Sequence, residues 1–160
     1  MITILEGVDG VGKTTHANWL AKQTNARVIH ASAPQHDHWH KEYVMPILSH
    51  LVDHKDQDLI LDRWHVGEMI WPAIFKRQSL FKSMDSFKLC HERLLLLGVN
   101  VLFVYRDADA ISNTLMLRGE QDQIKDVLRA QDLFMDVIFR VDGIKIVNSN
   151  ELNREVSDAY

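Results

Sequence analysis

The 160-residue sequence predicts a three-layer α/β fold, a mostly parallel five-stranded sheet with helices on both faces. Three observations predict it. Short apolar, β-rich runs alternate along the chain with stretches of helical periodicity. A glycine-rich loop separates the first such run from the first helix-like stretch. The third run, Leu59-Ile60-Leu61, is continuously apolar, the pattern of a strand buried on both faces.

Taken in order, Ile2-Thr3-Ile4-Leu5 is the first strand, and Thr14 to Ala21 is a helix entered from the glycine-rich loop. Arg27 to Ala31 is a second short strand, followed by a loop around Pro34. A helix covers Tyr43 to Leu51, with Pro46 tolerable only in its first turn. The Leu59–Leu61 strand follows. Phe87, Cys90, Leu94 and Leu97 recur at helical spacing and end at Gly98, a good C-terminal cap. Val99 to Tyr105 is the clearest strand in the chain. Ile124, Val127, Leu128, Phe134 and Ile138 mark an amphipathic helix, and Ile144 to Val147 the fifth strand. No repeat or linker interrupts this order, so residues 1–160 are expected to form one domain.

Bulk properties narrow the class. With 46% hydrophobic and 25% charged residues the chain is an ordinary globular one, and a net charge of −4 supplies no general attraction to nucleic acid or an anionic membrane. Cys90 stands alone, which excludes an internal disulfide and points to a reducing compartment. No apolar run is long enough to span a bilayer, and the N-terminus runs straight into the first strand. The expectation is a cytoplasmic enzyme with no membrane partner; a homodimer is compatible with it.

The loop carries the chemistry. Residues 7–14 read Gly-Val-Asp-Gly-Val-Gly-Lys-Thr, a complete G-x-x-x-x-G-K-T phosphate-binding sequence. Gly7, Gly10 and Gly12 permit a tight path whose N–H groups, with those of Val11 and Thr15, face an anion. Lys13 supplies a point charge for the β- and γ-phosphates, and the Thr14 hydroxyl a ligand for Mg²⁺. The helix that follows adds its dipole. ATP with Mg²⁺ is thus the expected donor. In such sheets ligands sit beyond the carboxyl ends of the strands, which selects Ser32-Ala33-Pro34, Asp62-Arg63 and Arg106-Asp107. Asp62, closing an apolar strand, is placed to hold magnesium and Arg63 to grip a phosphate or carboxylate. Arg106-Asp107 has no motif behind it and reads as a solvated loop.

Glu6-Gly7-Val8-Asp9-Gly10-Val11-Gly12-Lys13-Thr14-Thr15, followed by Asp62-Arg63-Trp64, resembles the thymidylate kinase family of P-loop nucleotide kinases. The resemblance implies that Asp9 contacts the acceptor's deoxyribose hydroxyl and that Arg63 grips its phosphate. It also implies a lid near residues 117–124 whose Arg118, in Leu117-Arg118-Gly119-Glu120, neutralises the transferring group. A nucleotide acceptor, in particular a deoxynucleoside monophosphate such as dTMP, is what that family would take.

The chain departs from the family at three places. Ser32-Ala33-Pro34 stands where Arg-Glu-Pro is usual. Gly67, Trp71 and Pro72 replace a Ser and a Tyr-Gln pair, and Gln123 replaces a second lid arginine. The run Asp62 to Glu68 and the short length resemble small phage-encoded kinases, some of which phosphorylate a hydroxymethyl-pyrimidine within DNA, making DNA the alternative partner. A nucleotide-binding switch without kinase activity is the reading from another class.

Other residues admit two uses each. Trp64, Trp39 and Trp71 suit base stacking or core packing. Glu68 binds a substrate hydroxyl or pairs with Arg63. His65 titrates near neutrality if unperturbed and could then serve proton transfer, but a structural role is the better reading. His36, His38 and His40 alternate in a polar loop, better read as solvated than as a metal site.

Overall fold

The computed structural model describes residues 1–149. Five strands form one sheet in the order β2-β3-β1-β4-β5, where β1 is Ile2–Glu6, β2 Arg27–His30, β3 Leu59–Asp62, β4 Val99–Tyr105 and β5 Ile144–Asn148. All four pairings are parallel, so the sheet is entirely rather than mostly parallel. Every residue of β1 and β3 is buried, as continuous apolar runs in the middle of a doubly covered sheet require.

Six α-helices surround it: α1 (Lys13–Thr24), α2 (Met45–Asp53), α3 (Trp71–Phe75), α4 (Met84–Leu96), α5 (Ala108–Leu117) and α6 (Ile124–Ile138). Sequence periodicity finds α1, α2, α4 and α6. It does not find α3, a single turn, or α5, whose polar residues Ser112, Asn113 and Thr114 dilute the apolar stripe. Before α2 the chain makes a π-helical turn over His40–Val44, which leaves Pro46 in the first turn of α2, where its missing N–H costs nothing. Helix α4 starts in a reciprocal cap, the Ser83 hydroxyl accepting from the Ser86 amide at 3.2 Å and the Ser86 hydroxyl from the Ser83 amide at 3.2 Å.

Within the core Phe103 packs against Phe134 at 5.3 Å between ring centroids, and Phe87 on α4 is fully buried. None of the helices among the described residues is long and apolar enough to cross a membrane. The register is what matters for the site. Leu5 and His30 both pair with Asp62, and Glu6 with Phe103, so β2, β3 and β1 end within a residue of one another and β4 runs two residues further. Loops 7–14, 31–34, 63–68 and 106–107 therefore emerge side by side at one edge of the sheet.

Candidate active site

The phosphate loop lies where β1 gives way to α1, with Gly7, Gly10 and Gly12 at φ of 140°, 84° and 96°. Gly7 is the constrained one: a Cβ there would stand 2.6 Å from the carbonyl oxygen of Val104, a backbone atom that cannot yield. The loop thus packs directly on β4. Lys13 is buried, and its ammonium donates to the Val8 carbonyl at 2.7 Å. Burial, and then the Arg63 guanidinium, lower its pKa to about 8, against the pull of Asp9, Asp62 and Glu6.

Thr14 and Asp62, separated by 48 positions, meet at 2.6 Å, the hydroxyl donating to Oδ2. His30 Nδ1 reaches the same oxygen at 2.9 Å. The other oxygen, Oδ1, is buried with no hydrogen-bond partner. A buried, unsatisfied carboxylate oxygen beside a threonine hydroxyl whose own proton is already donated is a pair of hard oxygen ligands, and suits Mg²⁺.

Beyond Asp62 the chain turns through Arg63 at φ 68°, a left-handed conformation seldom adopted by a long side chain. Glu6 holds that turn in place. One of its carboxylate oxygens accepts from the Trp64 amide at 3.0 Å and from the Val66 amide at 2.9 Å, while Arg63 N–H donates to the Leu5 carbonyl at 2.9 Å. Glu6 is fully enclosed and its second oxygen is unpartnered. Desolvation raises its pKa to about 7, with the amides of Val66, Gly67 and Trp64 and the Lys13 charge opposing.

Next to the loop opens a cleft of about 160 Å³, lined by Asp9, residues 31–34, Tyr43 and the stretch from Arg63 to Arg77. Trp71 and Phe75 stack at 5.6 Å along one side, with Phe75 exposed. Trp64 forms part of the wall; its indole N–H donates to the Tyr43 carbonyl at 3.0 Å, so it is anchored rather than free to swing. Two guanidinium groups enter the cleft. Arg63 pairs with Asp9 of the phosphate loop. Arg77 forms a two-pronged pair with Glu68 at 2.9 and 2.6 Å, and the Leu80 amide donates to Glu68 at 2.8 Å. The Glu68 hydrogen bonds hold Arg77 more firmly protonated than usual.

Most of the residues expected from sequence converge here: Gly7, Asp9, Gly10, Val11, Gly12, Lys13, Thr14, Thr15, Asp62, Arg63, Trp64 and Glu68 all lie in or beside the two loops. Two expectations need correction. Glu68 pairs with Arg77, not Arg63, because Arg63 is already engaged by Asp9. Arg106 is not a solvated loop residue: its guanidinium donates to the Gly10 carbonyl at 3.2 Å and to the Thr114 hydroxyl at 3.0 Å, tying the phosphate loop to α5. His65 takes the structural role that the sequence favours. It is fully buried, 2.9 Å from His91, and burial followed by the His91 charge pushes its pKa well down. Arg118 is exposed at the end of α5.

His36, His38 and His40 do not converge. His36 bonds the Glu42 carboxylate at 2.8 Å, and His38 accepts from the His40 amide at 3.2 Å. Among the described residues no group of three His, Cys, Asp or Glu side chains is arranged for a metal. Trp39 beside them is buried under Phe81, with Arg93 over its ring at 5.4 Å, a packing role. Sequence reasoning passed over Glu6, His30 and Arg77. The first two close apolar strands, a position that singles out polar residues; Arg77 carries no such signal.

No family model and no curated protein matches the chain. Solved structures do. The YorR protein of Bacillus subtilis, solved with phosphorylated GDP, is 21% identical with a TM-score of 0.74, covering 99% of this chain and 93% of its own. Polyphosphate kinase 2 of Arthrobacter aurescens TC1 is 12% identical with a TM-score of 0.61; the match covers 99% of this chain but 63% of that longer one. Deoxyadenosine kinase of M. mycoides, solved with the products dCMP and dCDP, is 9% identical with a TM-score of 0.54 over 99% and 96% of the two chains. At these identities the likeness establishes the fold alone, which the chain shares with these proteins.

Proposed function

We propose that the protein is a kinase that transfers the γ-phosphoryl group of ATP–Mg²⁺ to a nucleotide, a deoxynucleoside monophosphate of the dTMP type in particular. The observation that carries this reading is the shared wall. Asp9 belongs to the phosphate loop and also lines the aromatic cleft, where its carboxylate meets Arg63. A donor in the loop and an acceptor in the cleft are thereby held against one another, and holding two reactants in register supplies much of the barrier reduction in phosphoryl transfer.

Each residue has a role in that scheme. Lys13 and the loop amides bind the β- and γ-phosphates. Thr14 and the free oxygen of Asp62 hold Mg²⁺, which when bound neutralises phosphate charge. Arg63 exchanges Asp9 for the acceptor phosphate, releasing Asp9 for the acceptor's sugar hydroxyl. Trp71 and Phe75 stack on the base, and Arg77, positioned by Glu68, faces the same space. The 117–124 segment serves as a lid that brings Arg118 onto the donor and excludes water. Residues 1–160 act as one domain.

A specific observation favours the second reading, a hydroxyl acceptor such as a hydroxymethyl-pyrimidine in DNA. Both cleft arginines are closed by carboxylates, so the cleft offers no uncommitted cation to a phosphate. The test is an acceptor panel with γ-labelled ATP: deoxynucleoside monophosphates, nucleosides and hydroxymethyluracil-containing DNA. Transfer to monophosphates is expected. Transfer to DNA alone overturns the monophosphate reading. Hydrolysis unstimulated by any acceptor would instead indicate a nucleotide-binding switch.

A further inference from the structure

We propose that His30 is a positioning residue for the divalent cation: its imidazole locks the Asp62 carboxylate so that one oxygen alone is presented to the metal. The inference rests on the proposed role of Asp62, and goes beyond it by assigning a function to a residue outside the phosphate loop and the aromatic cleft.

Three features support it. The register sets His30 opposite Asp62 at the ends of neighbouring parallel strands, and the Ala31 amide donates to the Asp62 carbonyl at 3.0 Å, so the two side chains leave the sheet together. A carboxylate only accepts, so Nδ1 of His30 carries the hydrogen in its 2.9 Å contact with Oδ2. Thr14 donates to that same oxygen at 2.6 Å. Two donors on Oδ2 and none on the buried Oδ1 divide the carboxylate into a fixed oxygen and an available one. Without His30, the carboxylate keeps a single tether to Thr14, about which it can rotate. Donors behind a metal-binding carboxylate orient it, and their removal typically weakens metal binding or activity by about 10–100-fold.

His30 lies on edge strand β2 with its side chain half exposed, so replacing it leaves no buried cavity. The test reads free Mn²⁺ by electron paramagnetic resonance while the protein, alone and with the β,γ-imido analogue of ATP, is titrated with that metal. His30→Ala is expected to weaken Mn²⁺ binding by about 10-fold or more. His30→Asn, whose amide can donate from nearly the same place, is expected to recover most of it. In kinase assays the Mg²⁺ requirement rises in His30→Ala while kcat at saturating metal is kept. Asp62→Asn is measured alongside. If Asp62→Asn loses Mn²⁺ and His30→Ala does not, the role of His30 is wrong and that of Asp62 stands. If neither loses it, both are wrong. A His30→Asn variant as weak as His30→Ala overturns the hydrogen-bond assignment.

Discussion

On the proposed reading residues 7–14 hold the donor with eight consecutive positions, glycine torsions and backbone amides, whereas the neighbouring cleft collects its lining from Asp9 and from separated segments at 31–34, 43, 63–68 and 71–77. The contrast extends to charge. On the donor side Lys13 makes its hydrogen bond to a neutral carbonyl, with Asp9, Asp62 and Glu6 acting on its charge without an ion-pair contact. On the acceptor side each arginine already has its own carboxylate. A site for a triphosphate keeps its cation available, because the ligand is certain to be a polyanion. A site with self-paired cations accepts a ligand only by exchanging partners, which selects for shape and hydrogen bonding as well as charge.

The strongest way to break this division is Lys13→Ala. Loss of one preorganised charge at a transferring phosphoryl group costs about 10²–10³ in kcat, and here it removes the only side-chain cation within the loop sequence. Transfer to every acceptor and acceptor-free hydrolysis are expected to fall together. If hydrolysis alone survived, Lys13 would belong to the acceptor side and the division would be wrong.

Arg77→Ala probes the other half and has a smaller effect. Acceptor KM is expected to rise about 10-fold or more, with the KM for ATP unchanged, since Arg77 faces the cleft and not the loop. Glu68 is then left buried with only the Leu80 amide on its carboxylate, for a stability loss of about 1–3 kcal/mol, limited because Arg77 is itself partly exposed. An equal rise in both KM values would merge the two regions into one.

The same contrast explains what was readable in the chain. Eight adjacent residues with one mechanical purpose leave a signature in sequence, and so do the fully buried apolar strands β1 and β3. Asp62 was legible because it closes such a strand. The Glu68–Arg77 pair was not, because it depends on how α3 and the loop after it fold back. For His65 the sequence favours a structural role, and packing against Phe87 and His91 supplies it by removing the imidazole from water. Arg106 was passed over because its partners, Gly10 and Thr114, come from other parts of the chain.

Glu6 and His65 give the finest comparison, since one buried titratable group anchors the turn from the donor strand and the other sits within it. Glu6 is raised from 4.5 to about 7 by burial, so the folded state keeps a proton that the unfolded chain has released. Its contribution is complete below pH 4.5 and is lost as pH rises through 7. His65 is lowered from 6.5 by burial and by His91, so the unfolded chain takes up the proton first. Its contribution is complete above pH 6.5 and is lost as pH falls. Within the window from 4.5 to 6.5 the two slopes have opposite sign. The two contributions therefore offset one another there, and their sum is expected to be the smallest effect of the three. Single variants separate the slopes. In Glu6→Gln stability climbs with pH across the window, because the histidine slope stands alone. In His65→Gln, which keeps an N–H donor for His91 Nδ1, stability declines across it. Urea denaturation at half-unit pH steps measures both. If both variants gave curves parallel to the unsubstituted protein's, neither residue would be linked to folding, and the turn after Asp62 would owe its shape to Arg63 and Leu5 alone.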